Sequence, residues 1–412
     1  MAEALGLSGP RREGASVSEQ DLTPEQREAR DWAREFARRS VVPRALILDK
    51  DPESPERDAM VLEAAKAGIF GLALPEPMGG MGLDPVGSML VTEELAAACA
   101  GCAVLFGASA LGFSPILASF DMSLFDRFVR PIVESWSTEE PKHAALAATE
   151  PDMGSDFIQG HPQAHPRTRV TKRDGSYLIN GTKVFISNGS LASMVTVFGS
   201  LDPSGPIRDN MICLAVPTDT AGFSVGQIFD KMGQRASPAA ELVFDDVEVP
   251  EANRIGLDGG GWQINRLVMM LSRPAVGAIA LGIARAAYEK AIEYAEARIQ
   301  GGKAIVGHQA VQLMLADMAI RVEAARHLVH DASRSMARGQ PDLKLSSMAK
   351  TFASDAAVAN SIDAIQILGG YGYMHEYGVE KLLRDAKLTQ IYEGTNQINR
   401  FEIMESVIAS RA

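Results

Sequence analysis

Three clusters of polar residues and glycine in this 412-residue chain combine residue types that could do chemistry. The first, Thr149-Glu150-Pro151-Asp152-Met153-Gly154-Ser155-Asp156, sets hydroxyls, acids and a glycine in a turn, which offers backbone N–H donors to an anion or an aromatic heterocycle. The second, Lys183-Val184-Phe185-Ile186-Ser187-Asn188-Gly189, reads as a strand running into a turn, and its bland interpretation is an ordinary hairpin. The third runs from Asp385-Ala386-Lys387 to Gln390-Ile391-Tyr392-Glu393-Gly394-Thr395-Asn396-Gln397, preceded by Gln366-Ile367-Leu368-Gly369-Gly370-Tyr371-Gly372. One carboxylate, Glu393, stands there between an aromatic residue and a glycine in a break between helices. Desolvation raises a carboxyl pKa, so a carboxylate in such a break can act as a base near neutral pH.

The elements that must position these clusters change texture twice. From Thr23 to about Ser137 the pattern is helical, opening on Thr23-Pro24-Glu25-Gln26, a capping residue followed by proline and acid in the first turn. Further helices are expected around Asp58 to Ala67, Pro85 to Ala98 and Met122 to Ser135. The uncharged stretch from Leu95 to Phe120 is long enough to span a bilayer, but Gly101, Gly107, Gly112, Pro115 and several serines argue for a pair of buried helices broken near Gly112 to Pro115. No membrane span is expected. Between about Ala144 and Arg254 short apolar runs alternate with Asp174-Gly175, Asn180-Gly181, Asn188-Gly189 and Pro203-Ser204-Gly205 turns, the pattern of an antiparallel β domain. From Gly261 helices return, and Val311, Leu315, Met318, Val322, Ala325 and Val329 form the seam of a bundle. The expected division is a loose tail over 1–20, a helical domain over 21–143, a β domain over 144–255 and a helical bundle over 256–412.

Composition narrows the function. A net charge of −12 opposes the phosphate neutralisation that nucleic-acid binding needs. Three cysteines exclude a disulfide framework, and Met1 to Gln20 has no apolar h-region, so a cytoplasmic location is expected. Several short patterns lack their usual companions. Cys99-Ala100-Gly101-Cys102 has redox spacing but no basic residue in its stretch, and Ser347-Met348-Ala349-Lys350 lacks the other motifs of serine acyl transfer. Tyr377 and Lys381 lack a glycine-rich turn, His161 and His165 lack further metal ligands, and the sequons at Asn180 and Asn188 matter only in a secreted chain. No metal site is expected. GxGxxG, GxxxxGK[ST], GxSxG and HExxH are all missing, so any cofactor must be held in another way.

Taken together, the clusters resemble those of the acyl-CoA dehydrogenase family of flavoproteins, over nearly the whole chain from about Thr23 to Ile408. The TEPxxGSD signature corresponds to Thr149 to Asp156 and the K-M-G-x-R-x-S stretch to Lys231 to Ser237. The late signature corresponds to Arg384 to Lys387 with Ile391 to Thr395. The resemblance implies an N-terminal α-helical domain, a middle antiparallel β domain and a C-terminal four-helix bundle. It also implies FAD as cofactor and α,β-dehydrogenation of an acyl-CoA thioester to the trans-2-enoyl-CoA. Electrons would pass from the flavin to an electron-transfer flavoprotein.

Glu393 matches the family's α-proton base. Other members carry that base beside an arginine on the first bundle helix, where this chain has Ser272 beside Arg273. Thr149, Ser155, Phe185 and Ser187 match flavin contacts. Arg298, His308, Gln309, Gln366, Gly370, Thr395 and Gln397 match contacts to the FAD diphosphate and adenosine, some made across a subunit interface, so a homodimer or homotetramer is implied. Ser155, Arg273, Tyr392 and Gly394 match substrate contacts, Arg273 on the CoA side. Two departures stand out: the family's R-x-x-F-G reads Arg298-Ile299-Gln300-Gly301-Gly302, and the connection from Phe157 to Arg173 is longer than usual. In the family, the floor of the acyl pocket comes from the equivalent of Gly101 to Gly112, where Ala103, Gly107, Ala108 and Ala110 suggest room for medium, long or bulky acyl groups. Oxidases and monooxygenases on this fold lack the glutamate. Enoyl-CoA reductases keep it, and a degenerate acyl-CoA-binding member would have no need of it.

Overall fold

The first described helix shows how local chemistry starts the fold. Gln26 N–H donates to the Thr23 hydroxyl at 3.2 Å, Thr23 N–H donates to the Gln26 side chain at 3.0 Å, and Pro24 occupies the first helical position. The structure, a computed structural model, describes residues 22–161, 164 and 166–411. The expected tail over 1–20 and the His165 half of the two-histidine pattern lie outside the described residues.

Helices α1 (Pro24–Phe36), α2 (Ala45–Lys50), α3 (Glu56–Lys66), α4 (Pro85–Ser119), α5 (Met122–Leu124) and α6 (Arg130–Ser135) form the N-terminal helical part. Strands β1 (His143–Ala147), β2 (Arg169–Arg173), β3 (Ser176–Ser187), β4 (Ala192–Ser200), β5 (Met211–Pro217), β6 (Phe223–Ile228), β7 (Ala239–Pro250) and β8 (Arg254–Ile255) form the middle sheet, with short helices α7 (Ser155–Gln159) and α8 (Ile207–Asn210) between strands. The strand order is β6-β7-β3-β2-β4-β5-β8, with β1 beside β4. The C-terminal part packs α9 (Gly261–Ala297), α10 (Gln309–Ala337) and α11 (Leu343–Leu368) with the shorter α12 (Val379–Thr389) and α13 (Asn396–Ala409). The hairpin β9 (Ile299–Gln300) and β10 (Lys303–Ala304) lies between α9 and α10.

The three-part architecture and the bundle seam follow the sequence pattern: Leu315, Met318, Val322, Ala325 and Val329 are all buried along α10. Three details differ. The sheet is mixed, because β1 runs parallel to β4 through five paired residues. The Ala-rich β1 carries little strand signal of its own and is held by its neighbour. Asn180-Gly181 is no turn but a register shift inside β3, where Asn180 exchanges hydrogen bonds with Asp246 on β7.

The uncharged stretch also breaks elsewhere than expected. Helix α4 continues through Gly112 and Pro115, and its extended residue is Cys99, with φ −164° and ψ 111°. Pro115 is tolerated because Ser114 Oγ donates at 2.7 Å to the Leu111 carbonyl, the group a proline leaves without an N–H partner. Gly112 lets α4 lie directly on β1, since a Cβ there would fall 2.5 Å from Ala145 N. By length and composition α4 and α9 could each cross a bilayer, yet 72% of each apolar window is buried inside the protein. A buried ion network, in which Glu93 accepts from Arg285 at 2.8 Å and from Arg326 at 3.1 Å, joins α4 to α9 and α10.

Candidate active site

The loop between α12 and α13 carries Glu393 in the left-handed backbone region, with φ 56°, followed by Gly394 at φ 85°. Such a conformation in a glutamate persists only where the surroundings fix it. They do so through α9. Arg273, fully buried, donates from Nε to the Glu393 carbonyl at 3.1 Å and from Nη1 to Ser347 Oγ at 2.9 Å, and it forms an ion pair with buried Glu402 on α13. Gly394 is required twice over. Its φ suits glycine, and a Cβ there would lie 3.1 Å from Arg273 Nη2.

The carboxyl of Glu393 accepts a hydrogen bond from Ser272 Oγ at 2.5 Å. Burial raises its pKa above the ordinary carboxylate value, while the Ser272 hydroxyl and the Arg273 and Lys350 charges pull the other way. No described backbone hydrogen bond uses the Glu393 N–H, which leaves that donor to a ligand oxygen. A base of raised pKa next to a free backbone donor is suited to taking a proton from a carbon acid and stabilising the oxyanion that results.

The expected site residues fall into two groups set by different elements. Around the catalytic loop, Thr149 lies beside β3, accepting from Val184 N–H at 3.0 Å, and Ser155 begins α7. The neighbouring Ile158 side chain comes within 3.6 Å of where a Gly394 Cβ would stand. Glu150 binds Lys183 Nζ at 2.8 Å with both side chains buried, which ties the first cluster to the second. Phe185, left-handed at φ 61° and 63% exposed, meets the Phe229 ring at a tilt of 50° with ring centres 4.9 Å apart, and Ser187 ends β3. Thr395 caps α13 and Gln397 is exposed on its first turn. Tyr392 hydroxyl lies 3.5 Å from Gln234 Nε2, and Gln234 is bonded in turn to Asp385.

In the second group, Arg298 and Gly370 line an open cleft of about 650 Å³ at the α9–α11 ends, with Leu368 and Tyr371 also in its wall, while His308, Gln309 and Gln366 lie outside that lining. The Arg298 guanidinium lies 5.7 Å from the Tyr371 ring centre, and His308 Nε2 is 3.0 Å from the Gln300 carbonyl. Gln309 starts α10, and Gln366 is exposed one turn before the Gly369-Gly370 pair. Taken separately, the exposed Phe185 ring suits an aromatic heterocycle and the Arg298 guanidinium suits a diphosphate. Phe185 is an exposed aromatic face near the end of β3. A Cβ at Gly369 or Gly370 would meet nothing within 4 Å, leaving backbone open beside a guanidinium.

The structure places the other residues singled out in the sequence, and it changes the reading of Cys99. Arg273, which the resemblance places on the CoA side, is fully buried, and its Nε and Nη1 bond the catalytic loop, Ser347 and the Glu402 carboxylate. The Cys99 thiol does have a basic neighbour, Lys381 Nζ at 3.4 Å, supplied from α12 rather than from its own stretch. The Cys102 thiol hydrogen bond lowers the Cys99 pKa to about 6 against the opposing effect of burial, with Lys381 assisting. Ser347 and Lys350 are not an acyl-transfer pair, and Tyr377 lines the cleft while Lys381 binds Asp385 at 2.5 Å. Asn188 is buried with its amide on the Leu105 carbonyl, which rules out a glycan there. Gly301 and Gly302, where the family carries Phe-Gly, form the left-handed tip of the β9–β10 hairpin with φ 57° and 81°. Of the expected pocket-floor residues, Ala103 and Ala108 are buried, while Gly107 and Ala110 are exposed at the surface of α4. Sequence reasoning missed the Ser272 hydrogen bond and the Lys350 contacts, whose partners lie 121 and 44 residues away.

Models of the acyl-CoA dehydrogenase N-terminal, middle and C-terminal domains match residues 23–144, 145–247 and 259–408. An acyl-CoA dehydrogenase of Bacillus subtilis is 40% identical over 388 residues, 94% of this chain and 99% of that one. A cyclohex-1-ene-1-carbonyl-CoA dehydrogenase of Geobacter metallireducens is 40% identical over 382 residues, 92% of this chain and 97% of the other. The butyryl-CoA dehydrogenase structure from Megasphaera elsdenii superposes with a TM-score of 0.87 at 35% identity, covering 94% of this chain and 99% of that chain.

Proposed function

The chain belongs to the acyl-CoA dehydrogenase family of FAD-dependent oxidoreductases, and from that premise we propose that Glu393 takes the α proton of the acyl-CoA substrate, giving the trans-2-enoyl-CoA. The observation that carries this reading is the Glu393 carboxyl itself: desolvated, hydrogen-bonded to Ser272, and held in a left-handed turn whose carbonyl is fixed by Arg273. When bound, FAD accepts the hydride that leaves the β carbon. Thr149, Ser155, Phe185 and Ser187 would hold its flavin end. Arg298, His308, Gln309, Gln366, Gly370, Thr395 and Gln397 would hold the diphosphate and adenosine.

Glu393 receives the proton at its carboxylate, and its own N–H and the packing of Tyr392 and Gly394 orient the thioester. Ser155 sits on α7, which touches the same loop, and is placed to contact flavin and substrate together. The electrons go on to an electron-transfer flavoprotein, and the working form is a cytoplasmic homodimer or homotetramer.

The Ser272 hydroxyl favours the ionised base, so Ser272→Ala is expected to raise the Glu393 pKa further. Activity needs the carboxylate, so it is lost as pH falls through that pKa. The acid limb of the flavin-reduction rate therefore moves to higher pH in the variant, and stopped-flow rates across pH read the shift. The small residues Ala103, Gly107, Ala108 and Ala110, at the segment that floors the acyl pocket in the family, favour a medium, long or bulky acyl group. An acyl-CoA activity panel is expected to peak above four carbons or on branched and cyclic acyl groups. A sharp maximum at butyryl-CoA contradicts it.

A further inference from the structure

The spacing of Ser347 and Lys350 on α11 finds its use in the catalytic loop. Lys350 is fully buried, and its Nζ donates to the Gly394 carbonyl at 2.8 Å and to Asn396 Oδ1 at 2.8 Å. Asn399 Nδ2 is a second donor to the Gly394 carbonyl, also at 2.8 Å. Arg273 holds the preceding carbonyl, that of Glu393. Each carbonyl of the left-handed pair is thus fixed by a buried cation, one from α9 and one from α11. The Asn396 amide that receives Lys350 is itself anchored to Ser354 at 2.9 Å and Asp355 at 2.8 Å, so the ammonium has a built socket rather than a chance contact.

A buried lysine costs desolvation free energy that an apolar residue of the same length would avoid. Two carbonyl-type acceptors could be satisfied by a neutral amide donor, so the charge itself calls for a role. We propose that Lys350 is a positioning residue for the dehydrogenation: its ammonium fixes the Gly394 carbonyl and places a positive charge beside the loop that presents the Glu393 carboxylate. This rests on the reading of Glu393 as the base.

The electrostatics support that geometry. The Lys350 charge favours the ionised Glu393, and burial, helped by Arg273, pushes the Lys350 pKa down to about 7, against the pull of Glu393 and Asp355. The charged groups that face Lys350 are Arg273 from α9, Glu393 from the loop, Asp355 from its own helix and Arg400 from α13. Arg273 is occupied by Glu402, and Arg400 by Asp355 at 2.7 Å. Arg273 acts more strongly on Glu393 but shares its charge with Glu402, whereas Lys350 donates to the neutral acceptors Gly394 and Asn396, so its charge is the one added to the field at Glu393 without a bonded carboxylate.

The test is the pH profile of flavin reduction in the FAD-loaded protein under a saturating acyl-CoA, for wild type, Lys350→Met and Lys350→Arg. Removing the charge is expected to move the acid-limb midpoint up by about one pH unit, and keeping it as a guanidinium is expected to leave the midpoint in place. A residue that only props the loop would lower the rate equally at every pH, so an unmoved midpoint in Lys350→Met overturns the proposal. If Lys350→Met does not retain FAD, Lys350→Gln, which keeps an amide donor without the charge, takes its place: an upward midpoint supports the role, and a midpoint at the wild-type value overturns it. Glu393→Gln separates this from failure of the base assignment. Survival of the acid limb in Glu393→Gln refutes the base, whereas a Glu393-dependent limb that ignores Lys350 refutes only the role of Lys350.

Discussion

Glu393→Gln is expected to keep FAD and acyl-CoA binding and to lose flavin reduction by about 10⁴-fold, the upper range of what a positioned general base supplies. The amide is nearly isosteric and can still lie against the Ser272 hydroxyl, so the loop conformation and the contacts through the Glu393 carbonyl survive. What disappears is the one group in the loop able to hold the α proton. Stopped-flow reduction by saturating acyl-CoA, alongside the flavin content of the purified variant, reads both halves. Reduction at the wild-type rate would remove Glu393 from its role, and loss of FAD would make it structural.

The second large effect is on stability. Arg273 and Glu402 form an ion pair with both side chains essentially inaccessible, between the first and last helices of the bundle. Arg273→Met leaves the Glu402 carboxylate buried without its partner, which is expected to cost about 3–5 kcal/mol. It also releases the Glu393 carbonyl, so the remaining folded protein should reduce flavin slowly. Adding Glu402→Leu removes the stranded charge and is expected to restore most of the stability without restoring the rate, because the loop contact stays broken. Chemical denaturation of the FAD-loaded forms together with stopped-flow kinetics separates the two roles. A double variant as unstable as Arg273→Met would show that the ion pair is not the source of the loss.

Much of this was legible in the residues themselves. Glu393 stands out because a lone carboxylate between an aromatic residue and a glycine in a helix break is an unusual local arrangement, and Gly394 is required by the backbone angle found there. The bundle seam and the β-domain turns at Asp174-Gly175 and Asn188-Gly189 follow equally from local periodicity and turn chemistry. What stayed hidden depends on contacts between distant segments. Cys99 reads as inert because nothing within its own stretch is basic, yet Lys381 reaches it from 282 residues away. Gly112 and Pro115 read as helix breakers, but one is a site of close approach to β1 and the other is compensated by Ser114. Arg273 shows nothing in its own stretch of the partners that hold it in the core, Glu402, Ser347 and the Glu393 carbonyl. Propensity and spacing describe what a segment can do, and packing decides which neighbour it meets.

The most direct measurement is an anaerobic titration of the purified protein with saturated acyl-CoAs of graded length and branching, following the visible flavin band. The expected result is a yellow protein whose band bleaches with at least one acyl-CoA in wild type and fails to bleach in Glu393→Gln. A colourless protein that cannot be reconstituted with FAD, or a yellow one that no acyl-CoA reduces, would contradict the assignment of Glu393 to acyl-CoA dehydrogenation.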